Sequence, residues 1–230
     1  NKNLHLIGVS GDGDSASIGL GGFSHLLRRN LPMVYIVMNN GVYGLTKGQF
    51  SATADKGSTM KWGEVNSFET IDLCLLALEI GCSFVARSFS GDAKQLVPLI
   101  KAAIRHQGTA FIDVLSPCVT FANHEGSTKS YTAIKEHNII MQELGFVDSF
   151  ETVLVDYEEG TKEKVEMPDG SALILRKLDS KNHDVKDRLG AIQAIHRTKQ
   201  NGEMLTGLFY LEPKSKSFIT ELNLTEKPLA

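Results

Sequence analysis

The sequence predicts an α/β fold with a doubly wound, mainly parallel sheet, followed by a small β-hairpin and helix extension. Short apolar runs alternate with amphipathic helical stretches from residue 4 to about residue 118, the pattern of a parallel sheet with helices on its faces. Gly- and Asn-bearing loops follow the first two runs, where open α/β sheets bind ligands. The composition then shifts to charged turns from about residue 139. We therefore expect one unit over residues 1–138 and an extension over residues 139–230.

The first strand is read over residues 4–9, within three residues of Asn1, and so close a start leads us to expect further residues upstream. A helix follows over residues 15–29, ended by Asn30 and Pro32, and the next strand runs over residues 33–38 with Val34, Ile36 and Val37. Residues 39–66 read as a long loop, and a loop of that length in a compact unit is usually functional. An apolar helix over residues 69–80 closes on Gly81, a left-handed cap, before a short strand over residues 83–87. A helix over residues 92–106 puts Leu96, Val97, Leu99, Ile100, Ala103 and Ile104 on one stripe. The last strand of this half, residues 110–115, is stopped by Pro117. In the extension, residues 153–158 and 164–166 flank a charged turn, and a second turn at residues 167–170 precedes a strand over residues 171–176. A helix over residues 184–199 and a strand over residues 208–211 complete the expectation.

Composition narrows the class of function. With 230 residues and 42% apolar content the chain fills a substantial core. Lys and Arg number 24 against 27 Asp and Glu, a net charge of -3, with no basic stripe for a phosphate backbone, so nucleic acid is not an expected partner. The apolar runs are far shorter than the roughly 20 residues that cross a bilayer, and no membrane association is expected. Three sparse cysteines and no secretory start pattern point to the cytoplasm.

The chemistry concentrates in Gly11-Asp12-Gly13-Asp14 after the first strand and Asn39-Asn40-Gly41 after the second, with 25 residues between Gly13 and Asn39. Gly11 and Gly13 let backbone amides approach phosphate oxygens, and the following helix turns its positive end toward the same point. A carboxylate beside a diphosphate repels it unless a hard cation bridges the two. Asp12 therefore points to Mg²⁺, with the side-chain oxygen of Asn40 and the carbonyl of Val42 as further ligands. The bland alternative is a pair of Asx turns at strand ends. A second alternative is a nicotinamide dinucleotide site, since Gly11, Gly13 and Ala16 fit G-x-G-x-x-A. That fingerprint expects an acid at the end of the second strand, where this chain has Asn39-Asn40, and gives Asp12 no purpose.

Gly-Asp-Gly followed at this interval by Asn-Asn matches the diphosphate and Mg²⁺ motif of thiamine-diphosphate enzymes. The longer run Asn39-Asn-Gly-Val-Tyr-Gly-Leu-Thr-Lys-Gly-Gln49, with Ser116-Pro-Cys-Val-Thr-Phe121 and His124-Glu-Gly-Ser-Thr-Lys-Ser130, resembles the β subunits of 2-oxoacid:ferredoxin oxidoreductases. The resemblance implies the thiamine-diphosphate-binding fold and oxidative decarboxylation of a 2-oxo acid to acyl-CoA and CO2, with coenzyme A as co-substrate. Electrons would leave through a [4Fe-4S] cluster to ferredoxin. It implies that Gly11, Asp12, Gly13, Asp14, Asn40, Val42, Gly44, Leu45 and Thr46 hold the cofactor, and that Cys118 is one of four cluster ligands, the others lying upstream. Cys74 and Cys82 read as buried thiols. Lys47 is placed to pair with a distal substrate carboxylate, which favours 2-oxoglutarate; its alternative is a solvated loop lysine. No catalytic residue is assigned in this chain, because the activating glutamate is expected on a partner α subunit, in a heterodimer or a dimer of heterodimers. His124 and Glu125 read as a surface turn. Two other functional classes stay open: a noncatalytic subunit of the same fold, which would bind cofactor without electron transfer, and an NAD-dependent dehydrogenase, which NAD titration would expose.

Overall fold

The computed structural model describes residues 4–46, 48–59, 63–116, 154–166 and 172–222. Nine strands are found among them, and seven form one sheet. Its first four in spatial order are β1 (Ile7–Gly11), β2 (Met33–Asn39), β6 (Thr109–Leu115) and β5 (Phe84–Phe89), all parallel. Every residue of β5 and β6 is buried, as expected of central strands covered on both faces, and this includes the polar Arg87, Ser88, Thr109 and Asp113. β1 lies at the free edge, with Ile7 and Val9 exposed.

Helices cover both faces. On one, α1 (Leu20–Arg28), α2 (Leu73–Ile80) and α4 (Arg188–Gln200) pack Phe23, Leu27, Leu78 and Ile195 against Val37, Val85 and Phe111. On the other, α3 (Ala93–Arg105) lays Leu96, Leu99, Ile100, Ala103 and Ile104 on Val34, Ile36 and Ile112. The expected stripe thus holds except for Val97, which is half exposed. The α/β, mainly parallel architecture matches the expectation.

Helix ends follow local chemistry. The Asp72 carboxylate accepts from the backbone N–H groups of Cys74 and Leu75 and so starts α2 later than residue 69. Gly81 closes it at φ 95°, as its lack of a Cβ permits. The helix expected over residues 15–29 is instead split: Asp14–Ile18 forms a π-helical turn in which the Gly19 N–H donates to the Asp14 carbonyl, and α1 begins at Leu20. A glycine at 19, with Gly21 and Gly22 beside it, weakens the α-helical preference there.

The loop over residues 39–66 contains a short antiparallel pair that the sequence reading lacks, β3 (Val42–Tyr43) with β4 (Gln49–Phe50). In the extension, β7 (Lys162–Glu166) and β8 (Ala172–Lys177) form the expected hairpin around residues 167–170. Residues 154–158, expected as a strand arm, are not one; Val155 donates its N–H to the Gly91 carbonyl instead. β9 (Met204–Leu211) is longer than expected and pairs antiparallel with β5 and parallel with β8, so the hairpin continues the main sheet. No helix among the described residues is long and apolar enough to cross a membrane.

Candidate cofactor site at the carboxyl ends of the strands

Because β1 and β2 are adjacent and parallel, with Gly11 opposite Met38, the two Gly- and Asn-bearing loops leave the sheet side by side. Asp12 is buried, and its Oδ1 accepts the backbone N–H of Asn40 at 3.1 Å. Asn40 in turn accepts the Val42 N–H on its Oδ1 at 3.1 Å. The three residues expected around a cation are therefore neighbours. The other oxygen of Asp12 accepts from Thr53 at 2.6 Å and from Ser51.

Tyr43 fastens the loops together, its hydroxyl donating to the Gly13 carbonyl at 2.8 Å. A Cβ at Gly13 would lie 2.6 Å from the Tyr43 ring, so only glycine fits beneath it. At Gly11 a Cβ would meet nothing within 4 Å, which leaves an open approach to the backbone at the end of β1. Asp14 accepts a hydrogen bond from Ser10 at 2.6 Å and begins the π-helical turn. Gly44, Leu45 and Thr46 form the exposed turn between β3 and β4, with Leu45 almost wholly in solvent. Lys47, Cys118, His124 and Glu125 lie outside the described residues.

Behind Asp12 is a buried polar chain that the sequence reading missed. Thr53 Oγ1 lies 3.0 Å from Asn39 Oδ1, and Asn39 donates its amide N–H to Asp113 at 3.1 Å. Arg87 bridges Asp113 at 2.8 Å and Asp72 at 2.6 Å, and all three side chains are at most 9% exposed. Burial pushes the Asp113 carboxyl above the usual carboxylate range. Burial acts the same way on Asp72, but the Arg87 charge and the backbone donors of the helix cap outweigh it and hold that carboxyl below its ordinary value. The signals were present: a lone acid inside the apolar strand at 113, an acid just before the apolar helix at 72, and Ser51 and Thr53 two residues apart.

Beside these strand ends is a cavity of about 180 Å³, whose lining includes Asn39, Asn40 and Val42 together with Arg87, Thr198 and Met204. The extension thus supplies part of its wall. Cys74 and Cys82 are buried, each beside a backbone carbonyl, and burial pushes the Cys82 thiol to about 11. Among the described residues, no group of three or more His, Cys, Asp or Glu side chains is placed to hold a metal. The expected Mg²⁺ set needs only one such side chain, Asp12, since an amide and a backbone carbonyl make up the rest.

Residues 1–114 match the family of thiamine pyrophosphate enzymes through its C-terminal TPP-binding domain. The chain is 46% identical over 132 residues to the 2-oxoacid:ferredoxin oxidoreductase subunit beta of Saccharolobus solfataricus, covering 57% of this chain and 43% of that protein. It is 41% identical over 120 residues to the 2-oxoglutarate synthase subunit KorB of Methanocaldococcus jannaschii, covering 51% and 44%. The matched regions therefore span less than half the length of these relatives. A solved 2-oxoglutarate:ferredoxin oxidoreductase from Magnetococcus marinus, with 2-oxoglutarate, coenzyme A and succinyl-CoA bound, superposes with a TM-score of 0.68 at 26% identity. That match covers 97% of this chain and 62% of that one. Residues 1–114 thus match a TPP-binding domain of thiamine pyrophosphate enzymes, and the chain is similar in sequence to β subunits of 2-oxoacid:ferredoxin oxidoreductases and in fold to a solved member of that group.

Proposed function

We propose that this chain binds thiamine diphosphate through Mg²⁺ as the β subunit of an oxidoreductase that converts a 2-oxo acid, coenzyme A and oxidised ferredoxin into acyl-CoA, CO2 and reduced ferredoxin. The observation that carries the reading is the meeting of Asp12, Asn40 and Val42 at adjacent strand ends. One acidic oxygen, one amide oxygen and one backbone carbonyl form a sparse oxygen set, suited to an ion that takes its remaining ligands from phosphate. Asp12, Asn40 and the Val42 carbonyl would hold the ion. Gly11, Gly13, Asp14, Gly44, Leu45 and Thr46 would line the diphosphate and thiazolium. When bound, the cofactor supplies the carbon nucleophile and the electron sink for decarboxylation.

The chain's own residues bind, orient and shield. Tyr43 holds the Gly13 loop against β3, and the buried Asp113–Arg87–Asp72 chain keeps the strand ends rigid. Under this reading residues 1–138 form the cofactor unit and residues 139–230 its extension, joined through β9. An α subunit completes the active site and contributes the activating glutamate, since no residue of this chain is assigned that role. Cys118 is one thiolate ligand of a [4Fe-4S] cluster; Cys74 and Cys82, enclosed in the core, do not fit such a role, and the other ligands come from outside this chain. Lys47 pairs with the distal carboxylate of 2-oxoglutarate, which is the favoured substrate, and the M. jannaschii relative and the M. marinus structure bear names of that type.

The test is ferredoxin reduction by the assembled enzyme with coenzyme A and either 2-oxoglutarate or pyruvate. Activity greater with 2-oxoglutarate, and a Lys47→Ala variant that raises KM for it by about ten-fold or more while sparing pyruvate, would support the reading. Cofactor binding without ferredoxin reduction would instead favour a noncatalytic subunit.

A further inference from the structure

The buried face of Asp12 is more elaborately built than a metal ligand alone requires. Its Oδ2 receives two hydroxyls, from Ser51 and Thr53, and these lie 2.8 Å from each other. Ser51 also accepts the Thr53 backbone N–H at 3.2 Å, which fixes the spacing of the two side chains. Each hydroxyl has one hydrogen to give, and the acceptors within reach are Asp12 Oδ2 and Asn39 Oδ1. Asn39 is held with its oxygen toward Thr53, because its amide N–H₂ faces Asp113, whose two oxygens accept from Asn39 and Arg87. The hydroxyl pair therefore sits between Asp12 and a rigid, buried ionic chain.

We propose that Ser51 and Thr53 are positioning residues for the metal site. By holding Oδ2 of Asp12 inward, they leave Oδ1 on the side where Asn40 and Val42 lie. This deepens the reading of Asp12 as a Mg²⁺ ligand and rests on it. A buried carboxylate that loses such a donor turns or is left undersatisfied, and either outcome weakens a ligand whose direction matters.

The experiment is Mn²⁺ binding followed by electron paramagnetic resonance, with thiamine diphosphate present, on the full chain in the assembly in which it purifies. Thr53→Val and Ser51→Ala are each expected to weaken Mn²⁺ binding by about ten-fold or more, the usual consequence of losing a hydrogen-bond partner of a ligand. Thr53→Ser, which restores the hydroxyl, should return it to within about three-fold of the parent. Thr70→Val is the control for mere loop anchoring: Thr70 bonds the Ala54 carbonyl of the same loop at 2.9 Å and is not bonded to Asp12. Its Mn²⁺ affinity should stay unchanged. If the parent binds Mn²⁺ tightly and Thr53→Val and Ser51→Ala bind it equally well, the positioning role is wrong while the metal site stands. If Thr70→Val weakens binding as much as Thr53→Val, or Thr53→Ser fails to rescue, the effect is one of loop structure and the proposal is overturned. If the parent itself binds no Mn²⁺, the metal-site reading fails first.

Discussion

Arg87 is the residue on which the buried electrostatics turn. It is 3% exposed and neutralises one of the two carboxylates beside it, so removing it leaves Asp72 and Asp113 facing each other inside the protein. Arg87→Ala is expected to cost about 3–5 kcal/mol in urea denaturation. A loss below about 1 kcal/mol would show that water reaches the pair. Gly13 offers a second test at this scale. A Gly13→Ala methyl must displace the Tyr43 ring, and the variant should lose about 1–3 kcal/mol of stability, whereas Gly11→Ala meets no atom and should be nearly neutral before cofactor is added. At this scale the sequence was legible where residues act through short spacing. Asp12 and Asn40 could be paired because one strand, one helix and one strand separate them. The contacts of Asp12 with Ser51 and Thr53, and of Asn39 with Asp113, span 39, 41 and 74 positions, so a lone acid or a spaced hydroxyl pair marks a residue without naming its partner.

At the scale of elements, helix periodicity and the Gly81 stop were readable, whereas the Asp72 cap and the backbone irregularities were not. Asp92, Gly81 and the apolar stripe of α3 did what their chemistry suggests. The π-helical turn and the β3–β4 pair depend on how the loops pack, which apolar periodicity does not encode. Asn30 shows how an element end becomes a clamp. It adopts φ 51°, accepts from Ser83 and Thr109, and donates to Ser215 and the Lys216 carbonyl. Ser83 is in turn 2.7 Å from His106 Nε2 at the end of α3. Burial lowers the His106 pKa below its ordinary 6.5, only partly opposed by Glu212. A lowered imidazole pKa means the unfolded chain binds more protons in that window. The stability that neutral His106 supports is thus complete above about pH 6.5 and is lost as pH falls through the folded value. Unfolding free energy should therefore fall as the pH is lowered below about 6.5, and His106→Gln should flatten that slope. A slope equally steep in the variant would place the titration elsewhere.

For the whole molecule, the parallel half of the sheet followed from alternating apolar runs, while the route of the extension did not. β9 enters the sheet beside β5, and its Phe209 is fully buried, so the extension belongs to the same core as the cofactor loops. Only the end of that strand is legible in the sequence because Thr206 and Gly207 interrupt its apolar run. Phe209→Ala should cost about 3–5 kcal/mol and unfold the two halves in one transition. Two separate transitions would mean that the halves are independent.

The central claim is that Asp12 and Asn40 hold a cation that anchors a diphosphate. Titrating thiamine diphosphate into the protein by calorimetry, with Mg²⁺ and then with a chelator, tests it directly. Saturable binding that requires the ion and is lost in Asp12→Ala is the predicted result. Binding that persists unchanged in that variant, or without the ion, would contradict the account.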